Sequence, residues 1–370
     1  MEIVKPDYIK FIYAKAKKLV FLTPLLCVVI ILFPAFFILN YFSLFTEYDF
    51  QNYFKIHIFL ENCINEYYTF VSRAKEREAR FTWIVASIAV VIAMVGCSLY
   101  CISVLSSCIR NTSFYLIYKK RSYLLIIITI LGFLCIIYLL RHNLSYPNKV
   151  SAHVFGVLYC IKISDMTAND IFRNTNLYMH SLVVIYCLAF NFSCVFICCK
   201  PSNFDRLSIA ERASDTARRI YYLRNVVFSG AIALAVGVLG LRASVAWPLA
   251  LLSDVTDKVG TGALQAATNL TTGLVIFWGA IFSFVLLLSY LPAIWVLWSR
   301  ADHISRNISE DDTNQSNGID SKISWKIRQE WLRNHGLEMQ WQGQVTQIAS
   351  TIAPLMAASF DTLFSNLIPL

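Results

Sequence analysis

The stretch over residues 225–252, NVVFSGAIALAVGVLGLRASVAWPLALL, decides the class of fold. Its only charged side chain is Arg242, and a helix crosses the hydrocarbon core of a bilayer with about 20 mostly apolar residues. Further runs of the same kind recur along the chain. We predict six membrane-spanning helices, over 19–44, 82–109, 122–140, 178–199, 225–252 and 271–298.

Composition excludes a water-soluble protein. Hydrophobic residues make up 57% of the chain and charged residues only 15%, which leaves too little polar surface for soluble domains. The apolar run that opens at residue 19 is too long for the core of a secretory signal, so we interpret it as a retained first helix. The predicted fold is an all-α polytopic membrane protein.

The distribution of basic residues predicts the orientation. With the N-terminus in the cytoplasm, the cytoplasmic segments hold 21 of the 32 Lys and Arg residues and the outer loops hold 10. We therefore expect an integral protein of the cell (inner) membrane with a cytoplasmic N-terminus. The net charge of +9 reflects this bias, so we expect no nucleic-acid binding.

Cysteine and glycine usage divides the chain. All 11 cysteines lie between Cys27 and Cys199, and 10 of the 13 glycines lie from Gly230 onward. We predict a four-helix membrane module over 1–199, a basic cytoplasmic connector over 200–224, a helix hairpin over 225–298 and a cytoplasmic tail over 299–370. Cys63 and Cys160, on predicted outer loops, are positioned to form a disulfide if that compartment is oxidising.

Small residues recur in the predicted hairpin at spacings that allow helix backbones to approach closely in lipid. Close helix packing is the simpler interpretation, and packing around a central pore is the alternative. The candidates are Ser229, Ala233, Gly237, Gly240 and Gly279.

Two polar segments flank the hairpin. In the connector, Asp215 and Arg219 are four residues apart, which predicts a short cytoplasmic helix leading into the fifth span. After the sixth span, 308–321 has no apolar period and predicts a flexible linker. The segment 322–343 predicts a basic amphipathic helix containing Trp331. It would lie in the membrane interface or pack against other cytoplasmic segments.

The last segment, 344–370, predicts an amphipathic helix with an apolar stripe and a polar face that is almost uncharged. A membrane-surface helix would carry Lys or Arg on that face, and this one carries none. Either it is a seventh crossing that faces water or another subunit, or it is a cytoplasmic helix that buries its apolar stripe. Pore-lining candidates are Thr346, Gln347, Ser350, Thr351, Asp361, Thr362 and Ser365.

Three charged residues are candidates for an outer mouth. Asp254 and Asp257, in the loop between the fifth and sixth spans, would form an acidic ring in an oligomer. An ordinary solvated turn is the alternative. Arg242 would either line a pore or reach the outer surface, the latter if the fifth helix ends near Leu241.

The six predicted spans contain no acidic residue, which disfavours ion-coupled transport because coupled cations need ligands in the membrane. The chain also lacks an HExxH motif, a Cys-x-x-Cys motif and a phosphate-binding glycine loop. A thiolate site from Cys97, Cys101, Cys194 and Cys198 is conceivable, but buried cysteines in lipid-soluble helices need no metal to explain them. We expect no enzymatic activity, no cofactor and no metal.

These patterns favour a homo-oligomeric membrane channel or pore that is gated from the cytoplasmic side by a ligand or signal. A specialised version would depolarise the membrane in a bacterial stress or antiviral-defence system. One alternative is a facilitator or transporter of a small uncharged or lipid-like solute, with Asn191 and Ser193 lining its cavity. The other is a membrane scaffold. Membrane lipid and further copies of the chain are the expected partners.

Overall fold

The computed structural model describes residues 22, 73–110, 162–163, 166–201, 203–253, 261–313, 329–337 and 341–364. Five long helices dominate these residues: α1 Arg73–Arg110, α2 Ala168–Cys198, α3 Ile209–Ser253, α4 Thr261–Thr313 and α5 Trp341–Phe364. A two-residue antiparallel strand pair, β1 Lys162–Ile163 with β2 Met166–Thr167, precedes α2. A 3-10 turn, Phe204–Arg206, lies between α2 and α3.

Four of the helices contain segments that are long and apolar enough to cross a membrane: Arg77–Arg110, Ser181–Cys198, Ile209–Ala250 and Thr271–Arg306. They correspond to the predicted spans 82–109, 178–199, 225–252 and 271–298. An α-helical membrane protein is therefore the fold class. The predicted spans 19–44 and 122–140 lie outside the described residues, except for Leu22.

Helix α3 is central to the bundle, because it contacts each of the other four helices. Its glycines permit the closest approaches. A Cβ placed at Gly230 would lie 2.8 Å from the Leu286 side chain of α4, and Gly240 lies directly against Val90 of α1. Side chains larger than hydrogen at these positions would push α3 away from its neighbours.

The two ends of the bundle differ in chemistry. At one, which we call the aromatic end, Trp247 of α3 lies 4.9 Å from Trp83 of α1 and 5.9 Å from Phe172 of α2, measured between ring centroids. At the other, the basic end, Arg219 of α3 and Arg300 of α4 meet the last residues of α2. Helices α1, α2 and α4 therefore run from the aromatic end to the basic end, and α3 runs in the opposite direction.

Two helix boundaries differ from the predicted spans. Helix α3 ends at Ser253, close to the end of the predicted span 225–252, and passes through Arg242, which excludes the alternative end near Leu241. Its start lies earlier, at Ile209, because the predicted connector helix is continuous with the fifth span. A capping box starts it, because Ser208 Oγ accepts a bond from the Glu211 N–H while the Glu211 carboxylate accepts one from the Ser208 N–H. Beyond Arg242, burial of Val245 and Trp247 holds the last turns against the bundle.

The second boundary is the start of the predicted linker. Helix α4 extends to Thr313, so 308–313 are helical rather than irregular. The Asp302–Arg306 ion pair, at 3.0 Å and four residues apart, supports the polar part of this helix.

The described part of the predicted interfacial helix packs against the protein itself. Residues 329–334 form a helical turn that ends at Gly336, whose φ of 67° suits glycine. Trp331 and Leu332 pack against the main core, and Leu337 is 3% exposed. These contacts agree with the packing alternative for this segment.

Candidate functional site

Two junctions carry most of the chemistry that distinguishes this bundle. The first is the contact of α5 with α4, which we call the C-terminal seam and define by Gly279 and Ser283 of α4 and by Pro354, Leu355 and Ala358 of α5. The second lies at the basic end.

In the C-terminal seam, the backbones of α4 and α5 come close enough to require glycine. A Cβ placed at Gly279 would lie 2.7 Å from the Cβ of Ala358 and 2.8 Å from the carbonyl oxygen of Pro354. Beside Pro354, which has no backbone N–H, the Leu355 N–H donates to Ser283 Oγ at 3.2 Å. A neighbouring hydroxyl thus compensates for the irregularity that proline introduces, as is usual for proline in membrane helices.

These contacts also fix the register of the two helices. Ala358 lies opposite Gly279 and Leu355 lies opposite Ser283, so α5 runs antiparallel to α4. Continuing this register places Trp341 opposite Leu297 and Phe364 opposite Leu274. At 1.5 Å per residue, α5 is about 36 Å long. In this register, α5 extends along residues 274–297 of α4, which is most of the predicted span 271–298.

An amphipathic helix on a water-soluble protein buries its large apolar side chains, whereas α5 exposes two of them. Its fully buried positions are small or polar, with Thr351 0% and Ala358 6% exposed. The large apolar side chains Ile348 and Met356 are instead 38% and 55% exposed. Such an arrangement is unfavourable in water but favourable in lipid, where small and hydroxyl residues form helix contacts and apolar side chains face the acyl chains.

The predicted pore-lining residues of α5 do not share one environment. Thr346 is exposed, Gln347 and Ser350 are half-buried, and Thr351 is completely buried against the neighbouring helices. Thr351 therefore lines no surface of the chain. Asp361 and Thr362 belong to α5, but their side chains are outside the described part, as is all of Ser365.

The small residues of the hairpin face different partners. A Cβ placed at Gly237 would lie 3.1 Å from Met94 of α1, and Gly240 also faces α1, whereas Gly279 faces α5. Ala233 is fully buried and Ser229 half-buried. The small residues thus attach α1 and α5 to the two sides of the hairpin.

The other candidates are distributed as follows. Arg242 is half-buried within the continuous helix α3. Asp254 and Asp257, like Cys63 and Cys160, lie outside the described residues.

Buried polar residues of α2 join helices together. Ser193 Oγ donates to the carbonyl of Cys101 in α1 at 2.8 Å, and Ser289 Oγ of α4 lies 3.0 Å from Asn191 Oδ1. Asn191 is 1% exposed and Ser193 0%. Both side chains serve helix contacts, in which their hydrogen-bonding capacity is already used.

At the basic end, Arg219 is an almost fully buried cation, 2% exposed. Its Nε donates to Asp215 Oδ2 at 2.7 Å, and its Nη1 donates to the carbonyls of Ile197 at 3.0 Å and Cys199 at 2.7 Å. Arg300 of α4 donates to the carbonyl of Cys198. The C-terminal carbonyls of a helix carry partial negative charge, so these two arginines cap α2 and tie it to α3 and α4.

Three cations surround one aromatic ring beside this cap. Phe204 is 5% exposed, and its ring centroid lies 5.2 Å from Lys200 Nζ, 5.5 Å from Arg300 Cζ and 5.9 Å from Arg212 Cζ. We call these four residues, with Arg219 and Asp215, the basic junction. Spacing predicted the Asp215–Arg219 pair, but no sequence pattern indicated that Arg219 would be buried or that Arg300 would join it.

Within the described ranges, no group of three or more His, Cys, Asp or Glu residues could hold a metal ion, and this includes Cys97, Cys101, Cys194 and Cys198. Comparisons of the chain with known protein families, with curated proteins and with solved structures found no match, so its function must be argued from its own geometry.

Proposed function

We propose that this protein is a homo-oligomeric channel or pore of the cell membrane, gated from the cytoplasmic side, in which α5 is a seventh membrane crossing. The observation that carries the proposal is the position of α5. It packs antiparallel against the apolar span of α4 at Gly279 and Ser283, and its Ile348 and Met356 side chains are exposed. A helix at that depth lies in the hydrocarbon core if α4 does.

The helix directions support a seven-span topology. Helices α1 and α2 both run from the aromatic end to the basic end, so the chain between them must return, as a span over 122–140 would allow. The excess of Lys and Arg assigns the basic end to the cytoplasm. Helix α5 starts at that end and runs toward the aromatic end, which is the outer end in this topology.

The proposed ion path lies along the polar edge of α5, which separates the buried side of the helix from the side that would face lipid. Thr346, Gln347 and Ser350 lie on this edge and remain at least partly exposed in the single chain. Asp361 follows Ser350 by eleven residues, or about three helical turns, and so falls on the same edge. With α5 in the membrane, Asp361 is the acidic residue of that path and would favour cations.

Gating is assigned to the cytoplasmic side because the basic junction and the segment between α4 and α5 lie toward that side. This segment follows α4 beyond Arg300, and its described residues Trp331 and Leu332 pack against the core of the bundle. A ligand or signal acting on this segment would move α5 against α4. The resulting leak would depolarise the cell, as a bacterial stress or antiviral effector requires. The engaged side chains of Asn191 and Ser193 give no support to a solute cavity.

Purified full-length protein in planar bilayers tests the channel directly. We expect discrete conductance steps that require oligomer formation, measured across voltage and with cytoplasmic extract as a source of the signal. A protein that is folded by circular dichroism, yet gives neither conductance nor vesicle leakage under any condition, would contradict the proposal.

A further inference from the structure

We propose that the basic junction binds a phosphate anion, presented by an anionic phospholipid of the adjacent membrane leaflet. The binding groups are Lys200 and Arg212, held beside Arg300 on the ring of Phe204. This site is independent of the channel proposal, because it requires only that the basic end lies at a membrane surface.

The first argument is excess positive charge. Residues 199–219 contain five Lys or Arg and three Asp or Glu residues, and Arg300 adds a further cation, which leaves a formal net charge of +3. The nearby Asp302 and Arg306 pair with each other and contribute no net charge. Much of the hydrogen bonding of the arginines goes to backbone carbonyls, which are uncharged. Arg212, for example, donates to the carbonyls of Leu207 and Asp205.

The second argument is geometry. Phe204 gathers three like charges that would otherwise repel each other, with each cation within 6 Å of its ring centroid. The carboxylate of Asp205 lies 4.0 Å from Lys200 Nζ, but its side chain is 88% exposed and therefore well hydrated. The Lys200 side chain is 41% exposed, so it can reach a ligand from outside the bundle. An anion between these cations would lower their mutual repulsion.

The third argument is depth. Arg300 follows the predicted span 271–298 by two residues, and Lys200 follows the end of α2, Cys198, by two. Cations that directly follow two membrane helices lie at the level of the lipid headgroups. Basic pockets between helices on the cytoplasmic side are typical sites for anionic headgroups.

The test uses full-length protein in nanodiscs of phosphatidylcholine with increasing fractions of phosphatidylglycerol, with the thermal midpoint followed by tryptophan fluorescence. We expect phosphatidylglycerol to raise the midpoint. In Lys200→Gln, half-maximal stabilisation should need about fivefold more phosphatidylglycerol, since one cation near an anionic surface contributes roughly that factor. Arg77→Gln is the matched control, because it removes the same charge from an exposed position at the aromatic end.

A second arm adds inorganic phosphate to phosphatidylcholine nanodiscs. Stabilisation by phosphate that depends on Lys200 would support the same anion site with a free ligand as its occupant. The proposal is overturned if Lys200→Gln responds to both anions as the unaltered protein does, or if Arg77→Gln loses the response equally.

Discussion

Arg219 links a spacing in the sequence to the packing of α2 against α3 and to the stability of the bundle. It is paired with Asp215 and also caps α2, and at 2% exposure it is shielded from water. A buried cation that loses its partners, or a buried carboxylate that loses its cation, is costly in a way that an exposed pair is not. The neighbouring Arg218 bonds the same carboxylate at 2.9 Å, yet its side chain is 51% exposed.

This contrast gives a prediction at matched positions. Arg219→Gln should lower the free energy of unfolding by about 3 kcal/mol, because it leaves Asp215 and the carbonyls of α2 incompletely bonded. Arg218→Gln should cost at most about 1 kcal/mol, as an exposed pair does. Denaturant unfolding in a mild detergent compares the two variants, and equal losses would show that Arg219 is not the buried link between α2 and α3.

Asp361 carries the corresponding prediction for permeation. Asp361→Asn should reduce the preference for cations over anions several-fold, because it removes the acidic charge from the proposed path. The reversal potential in a salt gradient across a planar bilayer measures this preference. Glu330→Gln, which removes an exposed carboxylate outside α5, should leave it unchanged. An unshifted reversal potential in Asp361→Asn would remove α5 from the pore.

At the scale of the elements, the C-terminal seam explains why α5 stays beside α4. Gly279 admits the backbone of α5 at Pro354 and Ala358, whereas a Cβ placed at Gly273, six residues earlier in α4, would meet none of the described atoms within 4 Å. Gly273 and Gly279 belong to the same helix, but only at Gly279 does a described part of a neighbouring helix occupy the space where a Cβ would lie. Any side chain at Gly279 must displace backbone atoms, which cannot rotate away.

Gly279→Ala should therefore destabilise the protein by about 1–3 kcal/mol through overpacking. Gly273→Ala should be neutral or slightly stabilising, since alanine favours the helix by about 1 kcal/mol. Thermal midpoints in nanodiscs measure both changes. If Gly279→Ala is as well tolerated as Gly273→Ala, α5 does not pack on α4 in the way described.

The elements also show what could be predicted from the sequence. Hydropathy was sufficient for the four described spans, because apolar length alone determines whether a helix can cross lipid. It was insufficient for α5, whose polar face leaves both interpretations open; the burial of Thr351 and Ala358 supports the proposed crossing. The start of α3 and the end of α4 extend beyond the predicted spans because capping and polar contacts, rather than hydropathy, decide where a helix continues.

For the candidate site, spacing identified Gly279 and the Asp215–Arg219 pair but neither of their partners. Gly279 packs against α5 from 72 or more residues along the chain, and Arg219 bonds carbonyls more than 20 residues away. Contacts between such distant residues arise from the packing of whole helices, which a single sequence does not encode as a local pattern. The Trp83, Phe172 and Trp247 cluster was missed for the same reason.

At the scale of the whole molecule, the protein combines four described helices that are long and apolar enough to cross a membrane with a C-terminal helix that buries Thr351 and Ala358 and exposes Ile348 and Met356. Buried arginines hold the basic end, and aromatic rings in tilted and edge-to-face contact hold the aromatic end; these contacts set the helix directions. The proposed channel depends on α5 crossing the membrane, since the pore, its acidic residue and its gating all require that crossing.

The accessibility of a cysteine added after Leu370 decides whether α5 crosses. The cysteine is added to a double variant, Cys63→Ser with Cys160→Ser, which lacks the cysteines of the predicted outer loops. A membrane-impermeant maleimide should label the added cysteine in intact cells, whereas Ser316→Cys, in the segment between α4 and α5, should be labelled only after permeabilisation. Labelling of the added cysteine only after permeabilisation would place both ends of α5 on the same side of the membrane and contradict the seven-span topology.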